Sequence, residues 1–439
     1  MSSLSKSLPT MIEKPDDLTL EECQEAFAMF RFHRKVQQCI ELIMKSQGLW
    51  HIRDQIFGPL NHETLENCRK VSESWNESLQ RMALVKYLEE FGERKVVNGE
   101  ETKVSTIVPE WNKAVKDYGA KSSIEALQEI KDSLYMINGK HLEYPIHQAA
   151  GHGALKLMEF ILTTSFDMNS KDQDGRTIFQ VACQNGKIEI VNLLIESTKH
   201  DIDLNARDNH GATALLLASK QGRTETVKLL IELSTKNDGI DLNARDNKGW
   251  SAIKLACYFG RTGIVKSLIE LSTEYAIDLH ARDNKGGTSL HWACDSRIAG
   301  LKIAKLLIEL STKYGINVNA RDNYGRTPFH WTCWKGKRET VKLMIESSTK
   351  YGIDVNARDN NGDTALHLAC SGARTEIVEN ILKHWKTFGI DIKAKNNVSQ
   401  TALDVVNQMR FTEIPPVQYE LNKVKIMLER CYWPLIFQD

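Results

Sequence analysis

Residues 322–330 read DNYGRTPFH, and this stretch decides how most of the chain folds. Residues 359–367 read DNNGDTALH and repeat the pattern 37 residues further on. The hydroxyl residue of the stretch recurs at intervals of 36 to 39 residues, at Thr177, Thr213, Ser251, Thr288, Thr327, Thr364 and Thr401. Such self-similarity at a nearly fixed period predicts a repeat architecture, in which each repeat buries its apolar face against its neighbours.

Each part of the repeated stretch has a physical reason. The hydroxyl of Thr327 can cap a helix that begins after it, and Gly325 permits a tight turn just before the cap. A second apolar stretch begins near Val341, which lies 14 residues after Thr327. The residues that lengthen the period follow that valine. The sequence therefore predicts a lengthened second helix or a lengthened loop after it.

The pattern D-x-x-G-x-T-P-L-H resembles the ankyrin repeat, whose period is about 33 residues. The resemblance covers residues 141–410 and implies about eight repeats, each a helix pair with a β-hairpin loop. It predicts an all-α fold, an ankyrin-repeat solenoid, followed by a C-terminal capping helix and tail over residues 411–439. One repeat should be irregular, because Ala304 replaces the usual valine and residues 295–297 replace the usual glycine turn.

By the same resemblance, ankyrin arrays bind proteins through hairpin tips and first helices, at variable positions beside the Thr and the helix-to-helix Gly. Two repeats carry aromatic and basic side chains there, and such side chains are enriched at binding hot spots. We predict a patch that binds a protein substrate, made of Lys248, Trp250, Tyr258, Phe259, Tyr324, Arg326, Trp334 and Lys335. The alternative is that some of these rings pack between repeats. Trp292 and Trp331 are expected to fill the core.

Five arginines recur between the repeats, at Arg207, Arg245, Arg282, Arg321 and Arg358. A column of guanidinium groups could receive an acidic ligand. The favoured interpretation is structural, because each arginine precedes an aspartate that can hydrogen-bond the hairpin and neutralise the column.

His291, His330 and His367 each lie three residues before a cysteine. A zinc site needs about four convergent ligands, whereas these pairs belong to separate repeats. We therefore predict no metal site and no cofactor. The cysteines at the equivalent position of five repeats are predicted to be reduced and buried, namely Cys183, Cys257, Cys294, Cys333 and Cys370.

The composition excludes several classes of function. Lysine plus arginine and aspartate plus glutamate both number 57, so the formal net charge is +0 and nucleic-acid binding is disfavoured. The N-terminal residues lack a secretory apolar stretch, and no run of about 18 apolar residues occurs. We expect no membrane insertion and a cytoplasmic location, with the nucleus as a second compartment. No catalytic motif is present, so the prediction is a non-catalytic adaptor.

Residues 1–48 and 81–140 are predicted to be helical segments, with a polar link near residues 97–103. Ser122-Ser-Ile-Glu125 has the form of a capping box before an amphipathic stretch.

Between those segments, residues 56–79 are similar to the later two-thirds of an F-box, with the pattern I-F-x-x-L, then Leu, then C-R-x-V-x-x-x-W-x-x-L. The family's L-P-x-E opening is absent, and residues 48–51 read GLWH. The resemblance implies an F-box-like motif over residues 49–80 that docks on the Skp adaptor of a cullin-based ubiquitin ligase. The adaptor contacts would be Ile56, Phe57, Leu60, Leu65, Val71 and Trp75. Alternatively, these side chains form the core of a helical N-terminal cap.

Together the two resemblances predict a substrate receptor. The F-box-like motif would bind the Skp-type adaptor and its cullin, and the repeats would bind an unidentified protein substrate. Ubiquitin transfer would occur on partner subunits. The competing hypothesis is an ankyrin scaffold or anchoring protein outside any ligase.

Overall fold

A computed structural model describes residues 76–92, 95–97, 100–102, 111–138, 145–164, 166–197, 201–235, 239–409 and 415–436. Contacts within the chain divide it into two units. The N-terminal unit is formed by the described parts of 1–172 and 189–201, and the C-terminal unit by those of 173–188 and 202–439.

Helices form nearly all of the regular secondary structure in the described residues, and turns and hairpin loops connect them. The first helices along the chain are α1 (Asn76–Gly92), α2 (Trp111–Lys121), α3 (Ile124–Asn138), α4 (Pro145–His152), α5 (Leu155–Leu162), α6 (Ile178–Asn185), α7 (Ile188–Glu196), α8 (Ala214–Gln221), α9 (Thr224–Leu233), α10 (Ala252–Tyr258) and α11 (Thr262–Glu270). The remaining helices are α12 (Ser289–Asp295), α13 (Gly300–Glu309), α14 (Ser311–Tyr314), α15 (Pro328–Lys335), α16 (Arg338–Glu346), α17 (Ser348–Tyr351), α18 (Ala365–Ser371), α19 (Thr375–Phe388), α20 (Ala402–Gln408) and α21 (Pro415–Ile436).

In the N-terminal unit, α1 packs on α2 and α3, and α3 packs on α4 and α5. The fully buried ring of Phe160 meets the rings of Trp111 and Tyr118 edge to face, at centroid distances of 4.9 and 5.2 Å. Such edge-to-face contacts add to the burial of apolar area. Aromatic packing therefore joins α2 to α5.

Two details of this unit differ from the sequence expectation. The segment expected as a polar link contains a short antiparallel pair, β1 (Lys95–Val97) with β2 (Glu100–Thr102). The two residues between the strands in the sequence are Asn98-Gly99, a pair that favours two-residue hairpin turns. The cap of α3 is Ser123 rather than Ser122, since Ser123 Oγ accepts the N–H of Ala126 at 3.2 Å.

In the C-terminal unit the helices stack in two rows. The first helices of successive repeats pack in the order α6, α8, α10, α12, α15, α18 and α20. The second helices pack in the order α9, α11, α13, α16, α19 and α21. The buried core between the rows is made of leucine, isoleucine, valine and alanine with the five equivalent cysteines, which are free thiols as expected. The predicted all-α ankyrin-repeat fold is confirmed.

The Thr327 repeat, named like the others by the residue before its first helix, shows how the sequence sets a helix. Thr327 has extended backbone angles, Pro328 takes the first helical position, and Thr327 Oγ1 accepts the N–H of His330. The helix ends at Gly336, which adopts the left-handed conformation at φ 73°. Both the cap and the stop are local consequences of residue type.

In three repeats the additional residues of the long period form further helix after the second helix, which is one of the two predicted alternatives. In two repeats a single extra turn follows directly, as α14 after α13 and α17 after α16. In the Thr364 repeat the extension is continuous, and α19 runs for 14 residues.

The Thr288 repeat has the irregular helix-to-helix turn that the sequence predicted. Ser296 takes an extended conformation in place of a left-handed glycine, and Ala299 has the unusual angles φ 16° and ψ 18°. Ile298 lies in this turn and is exposed.

Asparagine and aspartate side chains tie the hairpins of neighbouring repeats together. Asp322 Oδ1 accepts the N–H groups of Tyr324 and Arg326, and Asn360 Nδ2 donates to the carbonyl of Asn323. The turn also needs glycine, because Gly325 has φ +74° and a Cβ there would lie 2.2 Å from Asn360 Oδ1. Hairpins one repeat apart are thus held by side chains that are distant in sequence.

All six predicted adaptor contacts, Ile56, Phe57, Leu60, Leu65, Val71 and Trp75, lie outside the described residues. Among the residues that are described, no helix is both long enough and apolar enough to cross a membrane.

Candidate functional site

The first helices present a face that carries ordered side-chain pairs. We call it the first-helix face, and define it by the positions three and one before each cap residue and seven and eight after it. In the Thr177 repeat, Arg176 Nη1 donates to Gln184 Oε1 at 3.1 Å across this face. In the Thr401 repeat, Gln400 Nε2 donates to Gln408 Oε1 at 2.8 Å from the same positions. The face therefore fixes its side chains before any partner arrives.

Four rings pack together on this face in the Ser251 and Thr288 repeats. Trp250 and Trp292 have centroids 4.3 Å apart, and Tyr258 meets both of them edge to face. Phe259 extends the group with an edge-to-face contact to Tyr258 at 5.1 Å. Trp250, Tyr258 and Phe259 are half-buried, so the rings pack between repeats and still offer surface to solvent. We call these four residues the aromatic cluster.

Trp292 and Trp331 are buried, as predicted, and their indole N–H groups explain their position. Trp292 Nε1 donates to Asp283 Oδ2 at 2.5 Å, and Trp331 Nε1 donates to Asp322 Oδ2 at 2.9 Å. Each tryptophan thus bonds the second oxygen of the aspartate that organises its own hairpin. A buried indole requires such an acceptor. Trp292 also forms the base of the aromatic cluster.

The Thr327 repeat carries the most exposed rings of the predicted binding residues. Tyr324 is 61% exposed and Trp334 is 41% exposed. The guanidinium of Arg326 lies 5.6 Å from the centroid of the Tyr324 ring and 5.3 Å from that of Trp334. Lys335 Nζ lies 4.9 Å from the Trp334 centroid. We call Tyr324, Arg326, Trp334 and Lys335 the Trp334 patch.

Hydrogen bonds and ion pairs to adjacent repeats hold the Trp334 patch in place. Arg326 Nε lies 3.5 Å from the buried carboxylate of Asp359, and Lys335 Nζ lies 3.1 Å from Asp295. Arg374 Nε donates to the carbonyl of Trp334 at 3.2 Å. Side chains held in this way lose less conformational entropy on binding than free side chains do.

The arginine column has structural bonds, although its carboxylate neighbours do not pair with it. Arg321 Nη2 donates to the carbonyl of Arg358, and Arg358 Nη1 donates to that of Lys395 at 2.7 Å. The adjacent aspartates hydrogen-bond the hairpins, which confirms that part of the interpretation. Among the described residues, Arg245 forms an ion pair with Asp278 at 3.3 Å, whereas Arg282, Arg321 and Arg358 form none with the aspartate that follows each of them. Neutralisation of the column by the neighbouring aspartates stays a prediction.

Lys254 is an unexpected feature beneath the aromatic cluster. It occupies the position that histidine takes in later repeats, its exposed fraction is 0%, and its Nζ has no hydrogen-bond partner. Burial lowers its pKa to about 8, against a smaller opposing effect of the Asp283 carboxylate. The cap hydroxyl of Ser251 is also buried without a partner. Buried polar groups without partners are costly, and an unpaired amine costs more than an unpaired hydroxyl.

The histidines and cysteines that have metal-ligand spacing have other roles. His291 Nδ1 accepts the N–H of Thr288, so Nε2 carries the proton that is donated to the Arg326 carbonyl at 3.0 Å. Burial lowers the pKa of His291 to about 4. Burial raises the pKa of the Cys294 thiol to about 12. Within the described ranges, no cluster of three potential metal ligands occurs.

The eight predicted substrate-binding residues thus fall into two groups on one row of first helices. Trp250, Tyr258 and Phe259 join in the aromatic cluster, and exposed Lys248 lies at the hairpin tip before them. The other four form the Trp334 patch. Sequence reasoning missed Trp292 as a base of this surface. The available signal was a tryptophan at a position where most repeats have valine or leucine.

Comparison with family models agrees with this architecture. A family model described as ankyrin repeats (3 copies) matches residues 146–246, 233–322 and 310–396. A similar solved structure is the ankyrin repeat domain of Bcl-3, described as a unique member of the IkappaB protein family. It has 25% sequence identity and a TM-score of 0.44, and the match covers 57% of this chain and 100% of that one. Because the family model matches more than half of the chain, this chain belongs to the ankyrin-repeat family, whose repeats mediate protein–protein interaction.

Proposed function

We propose that this chain is a protein-recognition subunit that holds a polypeptide on the Trp334 patch. The observation that carries the proposal is the exposure of Trp334 and Tyr324 on either side of a fixed Arg326. Tryptophan, tyrosine and arginine dominate binding hot spots, where truncation of one side chain costs about 2 kcal/mol or more. Rings that are already held in place give up little entropy when they bind.

The aromatic cluster extends this surface into the two preceding repeats. Lys220 Nζ lies 5.7 Å from the centroid of Phe259, so a cation flanks the cluster as Lys335 flanks Trp334. A segment that crosses several repeats would meet rings and cations in alternation. Ankyrin repeats are typically non-catalytic, and the proposal assigns this chain binding alone.

We further propose that the bound protein is a substrate of a ubiquitin ligase. This part rests on the resemblance of residues 49–80 to an F-box, which would attach the chain to a Skp-type adaptor and a cullin. One chain that binds both would raise the local concentration of the substrate beside the ligase. Transfer of ubiquitin would belong to the partner subunits. A scaffold or anchoring protein is the alternative, in which the repeats bind and residues 49–80 recruit no adaptor.

The first experiment tests the binding surface. Tagged full-length chain is purified from cells as wild type and as the double variant Tyr324→Ala with Trp334→Ala. The matched control is Tyr419→Ala with Ile426→Ala, which removes exposed apolar side chains from α21 instead (62% and 50% exposed). We expect the patch variant to lose at least one partner more than tenfold, while the control keeps it. Recovery of every partner by a folded patch variant would contradict the proposal.

The second experiment tests attachment to the ligase with Phe57→Asp. A charge at an apolar anchor should abolish recovery of the Skp adaptor and cullin, because such a contact depends on buried apolar area. Partners that depend on the Trp334 patch should still be recovered. If wild-type chain recovers patch-dependent partners without adaptor or cullin, the scaffold alternative is correct.

A further inference from the structure

The first-helix face carries basic side chains whose charge no nearby carboxylate neutralises. Lys220, Lys248 and Lys285 are exposed at its helix ends and hairpin tips. None of the three forms a salt bridge with a carboxylate in the part of the chain that the structure describes. Arg326 and Lys335 of the Trp334 patch are cations as well, and each of them is paired with a carboxylate of an adjacent repeat.

The carboxylates of the same repeats are occupied by internal hydrogen bonds. Asp283 and Asp322 are buried, with one oxygen bonded to hairpin N–H groups and the other to a tryptophan indole. Asp359 is buried between its own hairpin and Arg326. Asp295 faces Lys335. These four carboxylates are thus held inside the hairpins or by Lys335, and none of them forms an ion pair with Lys220, Lys248 or Lys285.

The arginine column places further positive charge under the same hairpins. Arg282 and Arg321 are exposed and donate to backbone carbonyls of the next repeat. A Cβ added to Gly286 would lie 3.0 Å from Arg282 Nη2, so this guanidinium lies directly below the turn that carries Lys285. Hydrogen bonds to neutral carbonyls leave the positive charge of a guanidinium in place.

On the second helices, several exposed lysines are paired one turn away along the helix, as in Lys266 with Glu270 at 3.7 Å and Lys305 with Glu309 at 3.8 Å, whereas Lys302 and Lys383 form no ion pair within the described residues. On the first-helix face, lysines without an ion pair lie in the same repeats as the rings that reach solvent. Such a distribution steers partners of opposite charge and penalises partners of like charge.

We propose that the segment recognised by this face is acidic, an extended stretch of aspartate and glutamate around one large apolar side chain. The inference rests on the proposed function, because it assigns a partner chemistry to the same surface. The apolar side chain would pack on Trp334 and Tyr324, and the carboxylates would lie along Lys285, Lys248 and Lys220. An extended backbone fits because these cations recur once per repeat. A nucleic acid is less suited, since its affinity depends on many phosphate contacts.

A peptide-display selection on the immobilised full-length chain tests this inference. The probe is a library of random 12-residue peptides, selected on wild type and then measured as individual peptides against three double variants. These variants are Lys248→Glu with Lys285→Glu, Tyr324→Ala with Trp334→Ala, and the control Lys266→Glu with Lys305→Glu. The control makes the same change of charge on the second helices. A 12-base-pair RNA duplex is measured in parallel.

We expect the selected peptides to be rich in aspartate and glutamate around an aromatic residue or leucine. Their affinity should fall at least tenfold in the first two variants and less than threefold in the control, and it should weaken as sodium chloride is raised. Neutral or basic peptides that depend on Tyr324 and Trp334 would overturn the acidic inference and leave the proposed function intact. Absence of any peptide that depends on those rings would overturn both. Tighter binding of the RNA duplex, with the same dependence on Lys248 and Lys285, would replace the peptide with a nucleic acid.

Discussion

The adjacent Ser251 and Thr288 repeats differ at the third residue of the first helix, which is a lysine in one repeat and a histidine in the other. In the Thr288 repeat, His291 accepts the N–H of its cap residue and donates to the carbonyl of Arg326 in the next repeat. In the Ser251 repeat, Lys254 occupies that position, and neither its amine nor the Ser251 hydroxyl has a partner. The side chains of Lys254 and His291 are both fully buried. The difference between the repeats is therefore one of hydrogen bonding and charge, and not of exposure.

The comparison shows where the array tolerates poor local bonding. The Ser251 repeat supplies Trp250 and Tyr258 of the aromatic cluster, so part of the candidate binding surface belongs to a first helix that buries an unpaired amine. Functional surfaces commonly break a local rule that the rest of the fold obeys. Stabilities of the repeats, measured one by one, should therefore differ most between these two neighbours.

The largest expected effect follows from replacing His330, whose imidazole bonds two backbone groups in the regular Thr327 repeat. His330 is fully buried and bonds the Thr327 N–H and the Asp363 carbonyl, at 3.2 and 3.1 Å. Replacement by alanine leaves both backbone groups unpaired and creates a cavity, so the free energy of unfolding should fall by about 4 kcal/mol. Urea unfolding followed by circular dichroism measures the change.

Glutamine is the matched control for this histidine. Gln180 holds the equivalent position in the Thr177 repeat, where its Oε1 accepts the Thr177 N–H and its Nε2 donates to the carbonyls of Ala206 and Ala212. His330→Gln should therefore cost about 1 kcal/mol or less. Equal losses for alanine and glutamine would show that the two hydrogen bonds do not stabilise the stack.

The next effect has the opposite sign. Lys254→Gln should give the Ser251 repeat the hydrogen bonds that Gln180 makes in the Thr177 repeat, and it removes a buried amine. The free energy of unfolding should therefore rise by about 2 to 3 kcal/mol at pH 7. The same unfolding experiment measures it. A Lys254→Gln variant that is less stable than wild type would show that the lysine has a stabilising contact beyond those described.

The stabilisation by Lys254→Gln should also depend on pH. Burial lowers the pKa of Lys254 from 10.5 to about 8, so between these values the unfolded chain binds a proton that the folded chain does not. Wild-type stability therefore carries the full penalty below pH 8 and recovers as the pH rises toward 10.5. The difference between wild type and Lys254→Gln should shrink from pH 7 to pH 10. An unchanged difference would mean that burial does not lower the pKa of the Lys254 amine.

The Thr288 repeat should affect how the stability depends on pH below pH 7. Burial lowers the pKa of His291 from 6.5 to about 4, so the unfolded state binds more protons in that window and stability falls as the pH drops through it. Between pH 7 and pH 5, the free energy of unfolding of His291→Gln should fall by roughly 1 to 2 kcal/mol less than that of wild type. Unfolding midpoints at pH 7 and pH 5 measure it, and parallel losses in both proteins would contradict the assignment.

Features set by neighbouring residues could be predicted from the sequence. Thr327 caps its helix, Gly325 adopts positive φ, and the second helices are extended, since each depends on residue type and spacing within one repeat. The cap of α3 was misplaced by one residue, because Ser122 and Ser123 both have a hydroxyl that can cap.

Features set by contacts between repeats could not be predicted. Arg321 bonds a carbonyl 37 residues away and leaves Asp322 to the hairpin and to Trp331, so adjacency in sequence did not imply an ion pair. The burial of Lys254 was equally hidden, because a lysine is normally exposed, although its neighbours in residues 252–257 are apolar. Only the register of one repeat on the next determines which oxygen each donor reaches.

The smallest expected effect compares the cap hydroxyl of Thr327, which has a hydrogen-bond partner, with that of Ser251, which has none. Thr327 Oγ1 lies 2.9 Å from His330 Nδ1 and caps α15, so Thr327→Ala should lower the free energy of unfolding by about 1 kcal/mol. Ser251 Oγ has no partner, so Ser251→Ala should change it by less than about 0.5 kcal/mol. In the Lys254→Gln background the serine should gain a role, because glutamine would bond the Ser251 N–H and order the cap. If Ser251→Ala costs as much as Thr327→Ala in the wild-type chain, Lys254 already completes the cap, and the two repeats are equivalent after all.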